Sequence, residues 1–391
     1  MLKSKFWLSF FAIITFILVI IFNNSISYSQ KNISEIRGIW LTNIDSDVLF
    51  SSQNTKEAIN ILDQLNFNTL YPTVWNWGYT LYPSKVAERE IGISMDPEPR
   101  LKGRDILQEI ISNSKNKGMA VIPWFEFGFM APADSLLAEK HPDWLTTRLD
   151  GTSIWLEGNV HKRVWLNPLH PEVQQFITDL VLEIVGKYEI EGIQFDDHFG
   201  YPSDFGYDPF TVKLYQEEHP GQLPPPNPKD KEWIQWRADK ITDYMSQLFQ
   251  SIKKTKPEVI VSVSPNPQVF SLESFLLDWE TWERKGLIEE LVPQIYRNNV
   301  NDFRKEIEKP EVINARDHIP VAIAILAGLK GRPVPFDLIK AQIETSRELG
   351  FAGVSFFFYE SLWNLTDDSP QERQSKFKSI FSSPVDRPSI N

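Results

Sequence analysis

The run Gly192-Ile193-Gln194-Phe195-Asp196-Asp197-His198 carries an apolar segment straight into two adjacent carboxylates and an imidazole. Burying an unpaired carboxylate costs on the order of several kcal/mol, so a tandem pair at the tip of a buried strand suits proton transfer or nucleophilic attack better than packing. Strand alternation would point Asp196 and His198 to one side and Asp197 to the other. The competing reading has one of the two acids capping the next loop or pairing with an arginine. Glu126 closes Trp124-Phe125-Glu126-Phe127, and Glu360 follows Phe356-Phe357-Phe358-Tyr359. A carboxyl among aromatic rings is expected to be desolvated, with its pKa raised, which suits a general acid. An ion-paired structural glutamate is the alternative at each position. Asp45 and Asp47 read as solvated loop acids.

Polar and aromatic residues gather at corresponding places in other segments. Asn43, Asn76, Asn266, Gln294 and Tyr296 each stand at or near the end of an apolar run. Singly these are turn or capping residues; together they could hydrogen-bond a hydroxyl-rich ligand. The chain has 13 Trp, and aromatic residues recur at these ends: Trp75, Trp77, Tyr79, Tyr82, Trp124, Phe127, Phe129, Trp155, Trp165, Tyr201, Tyr296, Tyr359 and Trp363. Their rings offer apolar faces to sugar C–H groups, although packing is expected to claim more than half of them. The candidate ligand-binding set is Asn43, Trp75, Asn76, Trp124, His198, Asn266, Gln294, Tyr296 and Tyr359.

Other chemistries lack their parts. There is no Cys, so no disulfide, thiolate metal site, cysteine nucleophile or lipidated N-terminal cysteine. The six His form neither HExxH nor HxxxH, and Asp196, Asp197, Asp204 and Asp208 match no known calcium-loop spacing. No metal and no cofactor is expected. GxSxG, GxxxxGK[ST] and a Gly-rich first turn are all missing. A net charge of −12 with no basic run argues against nucleic acid.

The elements that must position these residues alternate strand and helix eight times. Strands are expected within Glu35–Asn43, Phe67–Asn76, Met119–Gly128, Glu191–Gly200, Glu258–Pro267, Glu290–Arg297, Ile319–Ala327 and Phe351–Trp363. Helices are expected over Lys56–Leu65, Gly103–Gly118, Pro171–Tyr188, Trp233–Lys256, Phe275–Ile288, Asn301–Glu308, Phe336–Leu349 and Gln371–Phe381. Short, nearly continuous apolar strands alternating with helices imply parallel βαβ units. Eight units without a Rossmann turn favour an α/β fold of one kind, a single (β/α)8 TIM barrel. Ala131–Val164 and Tyr201–Asp230 would then be extended loops on its C-terminal face, where such folds build their sites.

Residues 1–29 read as an address. Lys3 and Lys5 precede an uncharged apolar run from Phe6 to Phe22, and Ser27-Tyr28-Ser29 offers a small-x-small spacing. This is the layout of a secretory signal, with a retained membrane anchor as the alternative. Either places the remainder outside the cytoplasmic membrane, in the periplasm, cell envelope or extracellular space. Residues 30–381 form the expected barrel and 382–391 a tail of little pattern. The sequence sets no oligomeric state.

Several stretches together resemble the glycosyl hydrolase-like 10 family of bacterial envelope proteins. They are Glu35-Ile36-Arg37-Gly38-Ile39-Trp40-Leu41-Thr42, Asn68-Thr69-Leu70-Tyr71 with Leu81-Tyr82-Pro83-Ser84, His141-Pro142-Asp143-Trp144, and Leu166-Asn167-Pro168 with Pro171-Glu172-Val173. Gly192 to Asp197, Ser262-Val263-Ser264-Pro265, Pro293-Gln294-Ile295-Tyr296 and Gly353-Val354-Ser355-Phe356 complete the set. The resemblance implies a TIM barrel and glycoside hydrolysis in the envelope, with peptidoglycan glycan strands as the leading substrate, and it supports Asp196 and Asp197 as site residues. The chain departs from the family pattern at Thr73-Val74-Trp75, where many members have Val-Arg-Pro. It departs again at Ile122 to Phe127, where many have a His-Ala-Trp run ending in Asn-Pro-Tyr. On this reading Asp196 is nucleophile or base, Glu126 or Glu360 is the general acid, and Asp197 orients or shares that work. The rival expectation is a glycan-binding barrel without turnover, since the fifth strand ends in Pro265-Asn266-Pro267 and offers no carboxylate.

Overall fold

The computed structural model of the protein describes residues 34–389. The expected signal or anchor over residues 1–29 lies outside them. Among the described residues no helix is long and apolar enough to cross a membrane.

Two all-parallel sheets form the centre of the mixed α/β fold. In the first, the strands run in the order Ala322–Leu326, Gly353–Phe357, Ile36–Leu41, Thr69–Pro72, Ala120–Val121. In the second they run Glu290–Leu291, Ile260–Ser264, Gly192–Asp196, Trp124–Phe125. Parallel bridges Thr73–Trp124, Leu291–Val321 and Gln294–Ala324 link their edges. The third expected strand is shared between the sheets because it breaks at Pro123, which has no N–H to give to a ladder. Its carbonyl still accepts from Gln194 N at 2.8 Å.

Helices cover the sheets where periodicity predicts them. Pro171–Lys187 begins with proline in its first turn, behind His170 as N-cap. It buries Val173, Phe176, Ile177, Leu180, Val181, Ile184 and Val185, each contributing roughly 1.5–3 kcal/mol before chain entropy is counted. Lys231–Thr255 starts where Asp230 accepts from the N–H groups of Glu232 and Trp233. The single helix expected over Phe275–Ile288 is instead two, Gln268–Phe275 and Trp279–Arg284. Leu276 stops the first in the left-handed region (φ 60°), and Asp278 caps the second. A further helix, Pro310–His318, falls where no element was expected.

The extended loops are folded. Within the first, Met130–Pro132, His161–Trp165 and Trp155–Glu157 make a small antiparallel sheet. Asp208 ties it to the second loop by accepting from Thr146 Oγ1 at 2.9 Å and Asn167 Nδ2 at 3.1 Å. The buried guanidinium of Arg237 pins the second loop by donating to the carbonyls of Ser203, Phe205 and Pro228. The tail of little pattern is tied into the body too. Arg37 Nη1 donates to Ser383 O at 2.7 Å, and Glu35 N to Asp386 O at 2.9 Å. Arg387 donates to Thr69 Oγ1 and to the fully buried Glu290.

Candidate active site

Asp196 is the last residue of the strand Gly192–Asp196, and residues 197–199 turn at once into a 3-10 helix. This overturns the expected alternation. Carboxylate and imidazole atoms of Asp196, Asp197 and His198 lie within 4.8 Å of one another, because the turn brings consecutive side chains to one side. Asp196 is 3 % exposed, while Asp197 is half-buried. Oδ1 of Asp196 accepts from Gln294 Nε2 at 2.7 Å and from the N–H of Asp197 at 2.6 Å. Burial, then the neighbouring Asp197 charge, push the Asp196 carboxyl well above the usual carboxylate range. Asn266 Nδ2 donates to Asp197 Oδ2.

Glu126 follows Trp124–Phe125 on the adjacent strand and is buried. Oε2 accepts from Asn76 Nδ2 at 2.8 Å, Thr73 Oγ1 at 3.1 Å and Thr42 Oγ1 at 3.3 Å. Loss of water raises its pKa to about 8, against the pull of those two hydroxyls. The charges of Glu157 and Asp197 add to the rise. Asp197 thus acts on both Glu126 and Asp196, so the three carboxyls form one electrostatic group. A close backbone approach makes this convergence possible. Gly128 has φ 47°, and a Cβ there would sit 2.3 Å from His198 O. Phe129 N donates to that same oxygen at 3.0 Å.

Other candidates are divided by the structure. Gln294, Asn266, Asn76 and His198 join the carboxyl group as above. Tyr296 is close enough for Asp196 and Asp197, after burial, to raise its hydroxyl well above the usual tyrosine range. Its ring stacks on Phe357 at 6.0 Å. Asn43 Oδ1 accepts from Asn76 Nδ2 at 2.9 Å.

Glu360 stands apart. It accepts from Ser46 Oγ at 2.7 Å and Asp47 N at 3.0 Å, so it clamps the loop after the first strand, with its pKa raised by burial. Trp75 is wholly buried, gives its indole N–H to Gly128 O at 2.9 Å and packs on Phe176. Trp124 is buried between Trp40 and Phe357. Tyr359 is buried against Trp363. These three rings belong to packing, where sequence position alone does not separate an inward ring from an outward one.

Residues the sequence reading missed are Thr42, Thr73 and Gly128. Their signal was present: hydroxyls at two strand ends, and a glycine two residues after the acid. As for metal, Asp196, Asp197 and His198 are the one cluster of such donors among the described residues. Nδ1 of His198 lies 2.8 Å from the carbonyl oxygen of Glu126, an acceptor, so Nδ1 carries the hydrogen and Nε2 the lone pair.

Comparison with known proteins follows the same lines. A sequence model of the family described as Glycosyl hydrolase-like 10 matches residues 35–345. Glycosyl hydrolase DigH of Escherichia coli is 25 % identical over 321 residues, spanning 68 % of this chain and 67 % of that one. Among solved structures, the glycoside hydrolase domain of PgaB (BpsB) from Bordetella bronchiseptica superposes with a TM-score of 0.61 at 13 % identity, covering 91 % of this chain and all of that one. The catalytic domain of β-amylase from Paenibacillus polymyxa gives 0.61 at 11 % identity over 90 % and 98 % of the two chains. These likenesses establish a fold of the TIM-barrel type used by glycoside hydrolases.

Proposed function

The chain belongs to the glycosyl hydrolase-like 10 family, and from that premise we propose that it hydrolyses glycosidic bonds in a cell-envelope or extracellular polysaccharide, with peptidoglycan glycan strands the first substrate to test. The two linked parallel sheets are read as a single (β/α)8 barrel, supported by the bridges at both pairs of edges. Export by residues 1–29 belongs to the same proposal.

One observation carries the chemistry: Glu126 is buried with its pKa raised to about 8, and it lies near enough to Asp197, the neighbour of Asp196, for that charge to add to the rise. Glu126 gives its proton to the leaving glycosidic oxygen as the bond to the anomeric carbon breaks. Asp197, the more accessible acid, acts on that carbon directly or takes the proton of the water that does. Asp196 keeps its own proton and hydrogen-bonds Asp197, holding the anion in place; this exchanges the roles expected from sequence. Asn266 donates to the Asp197 carboxylate, and the Tyr296 hydroxyl lies within electrostatic reach of both acids.

The experiment is release of reducing ends by the full-length chain from purified peptidoglycan, intact and stripped of stem peptides, beside Glu126→Gln and Asp197→Asn. Release by the wild type alone is expected. Release by all three proteins sinks the assignment of these residues. Retained binding with no release by any protein returns the reading to a glycan-binding protein.

A further inference from the structure

Trp77 occupies a position that tryptophan seldom takes. With Gly78 it forms the two-residue turn of the hairpin between Trp75–Asn76 and Tyr79–Thr80, and both turn residues have positive φ, 57° and 76°. Such turns favour Asn, Asp or Gly, because a bulky residue in the left-handed region is strained. The ring is also 43 % exposed, in contrast to Trp75 two residues earlier. A buried cation nevertheless packs against it. The guanidinium carbon of Arg163 lies 5.2 Å from its ring centroid, and Arg163 is itself buried and paired with Glu157 at 2.8 Å. A strained backbone, a buried cation against the ring and a large solvent-facing apolar surface have no common explanation in packing.

Two cavities share Trp77 as a wall. One, of about 690 Å³, is lined also by Asn43, Ser46, Asp96 and Glu360. The other, of about 730 Å³, is lined also by Tyr79, Asp134, His161 and Lys162. Both are rich in hydrogen-bonding groups, and Asn43 on the wall of the first is linked to Glu126 by hydrogen bonds from the buried Asn76. We propose that Trp77 is a stacking platform for one pyranose ring of a polysaccharide chain, and that the two cavities hold the sugars on either side of it. The inference rests on the glycan-hydrolysing reading and adds to it a preference for long chains. An indole face matches the C–H face of a pyranose, and the acidic wall of the first cavity disfavours a nucleic-acid strand.

The test measures binding and turnover separately. The full-length wild type, Trp77→Ala, Trp77→Phe and Trp77→Asn are cosedimented with stem-peptide-free peptidoglycan glycan strands and with chitin, and each melting temperature is recorded. The proposal expects Trp77→Ala to lose at least about tenfold in affinity and Trp77→Phe to keep most of it. Trp77→Asn, which suits the turn, should lose binding while melting no lower than wild type. Unchanged affinity in Trp77→Ala overturns the proposal, as does a wild type that binds neither glycan. Trp77-dependent binding without any reducing-end release by the wild type upholds the platform and sinks the hydrolase reading instead.

Discussion

Nδ1 of His198 donates to the backbone carbonyl of Glu126 across 2.8 Å, tying the end of one strand to the end of its neighbour. The bond fixes the ring tautomer and places the imidazole beside Asp197, with Nδ1 3.4 Å from Oδ1. The acid on one strand and the pair on the next are therefore held by backbone as well as side chain.

The backbone part of that tie is exposed to a single methyl group. Gly128→Ala puts a Cβ against His198 O in a left-handed conformation, and should cost about 2 kcal/mol or more. Urea unfolding will measure it, and turnover should fall by more than the lost folded fraction because Glu126 and Asp197 move apart.

Glu126→Gln removes the proposed proton donor without changing shape. A fall of about 10²–10⁴ in kcat/KM is expected on a polysaccharide. The loss should be much smaller on an aryl glycoside whose leaving group needs no proton. Wild-type activity should decline as pH rises through about 8, where Glu126 ionises, and this basic limb should vanish from the pH profile of the variant.

The same group makes stability depend on pH. Folded Glu126 holds its proton up to about 8, whereas the unfolded chain releases it near the ordinary value of 4.5. The native state thus binds more protons between these values, so Glu126 lowers stability as pH rises through that window. Asp196, also raised, has the same sign. Melting temperatures from pH 5 to 9 should fall less steeply in Glu126→Gln than in wild type, and equal slopes would refute the burial argument.

The division of labour between the two aspartates can be read by chemical rescue. Azide should restore turnover to Asp197→Ala, where a small anion can take the place of the accessible carboxylate. It should fail in Asp196→Ala, where the side chain removed is buried and accepts a hydrogen bond from Gln294. Rescue of Asp196→Ala alone would return the nucleophile or base to that residue.

Arg387 faces a carboxylate that has no exposure of its own. Glu290 also accepts from Tyr71 Oη at 3.1 Å and Ser262 Oγ at 2.9 Å. Arg387→Ala leaves this buried charge unpaired and should cost about 3–5 kcal/mol. Adding Glu290→Gln should recover much of that loss in a double-mutant cycle.

The strands were legible because their apolar runs and intervening helices leave few other arrangements. Pro171–Lys187 was legible because a proline start and a continuous apolar stripe agree. The break at Leu276 was not, since a non-glycine residue in the left-handed region carries no signal in hydrophobic pattern. Asp196, Asp197 and Glu126 were visible as acids in apolar company. Their relative exposure was hidden, because it depends on the strand ending one residue before Asp197. Glu360 shows the limit of that logic: burial raises its pKa, but its hydrogen bonds spend it on a loop. Residues 382–389 looked featureless because their partners, such as Arg37 and Glu290, lie far away in sequence.

Ile36–Leu41 pairs in parallel with Gly353–Phe357, across more than three hundred residues. Until the later strand is synthesised, the earlier one presents an unpaired edge of buried, apolar residues to any strand nearby. Contacts so distant in sequence also slow the search for the native state. Chains cut short before residue 353 should therefore collect as aggregates, whatever the state of Glu126 and Asp197, and good yields of active protein will depend on keeping newly made chains dilute or chaperoned until that strand arrives.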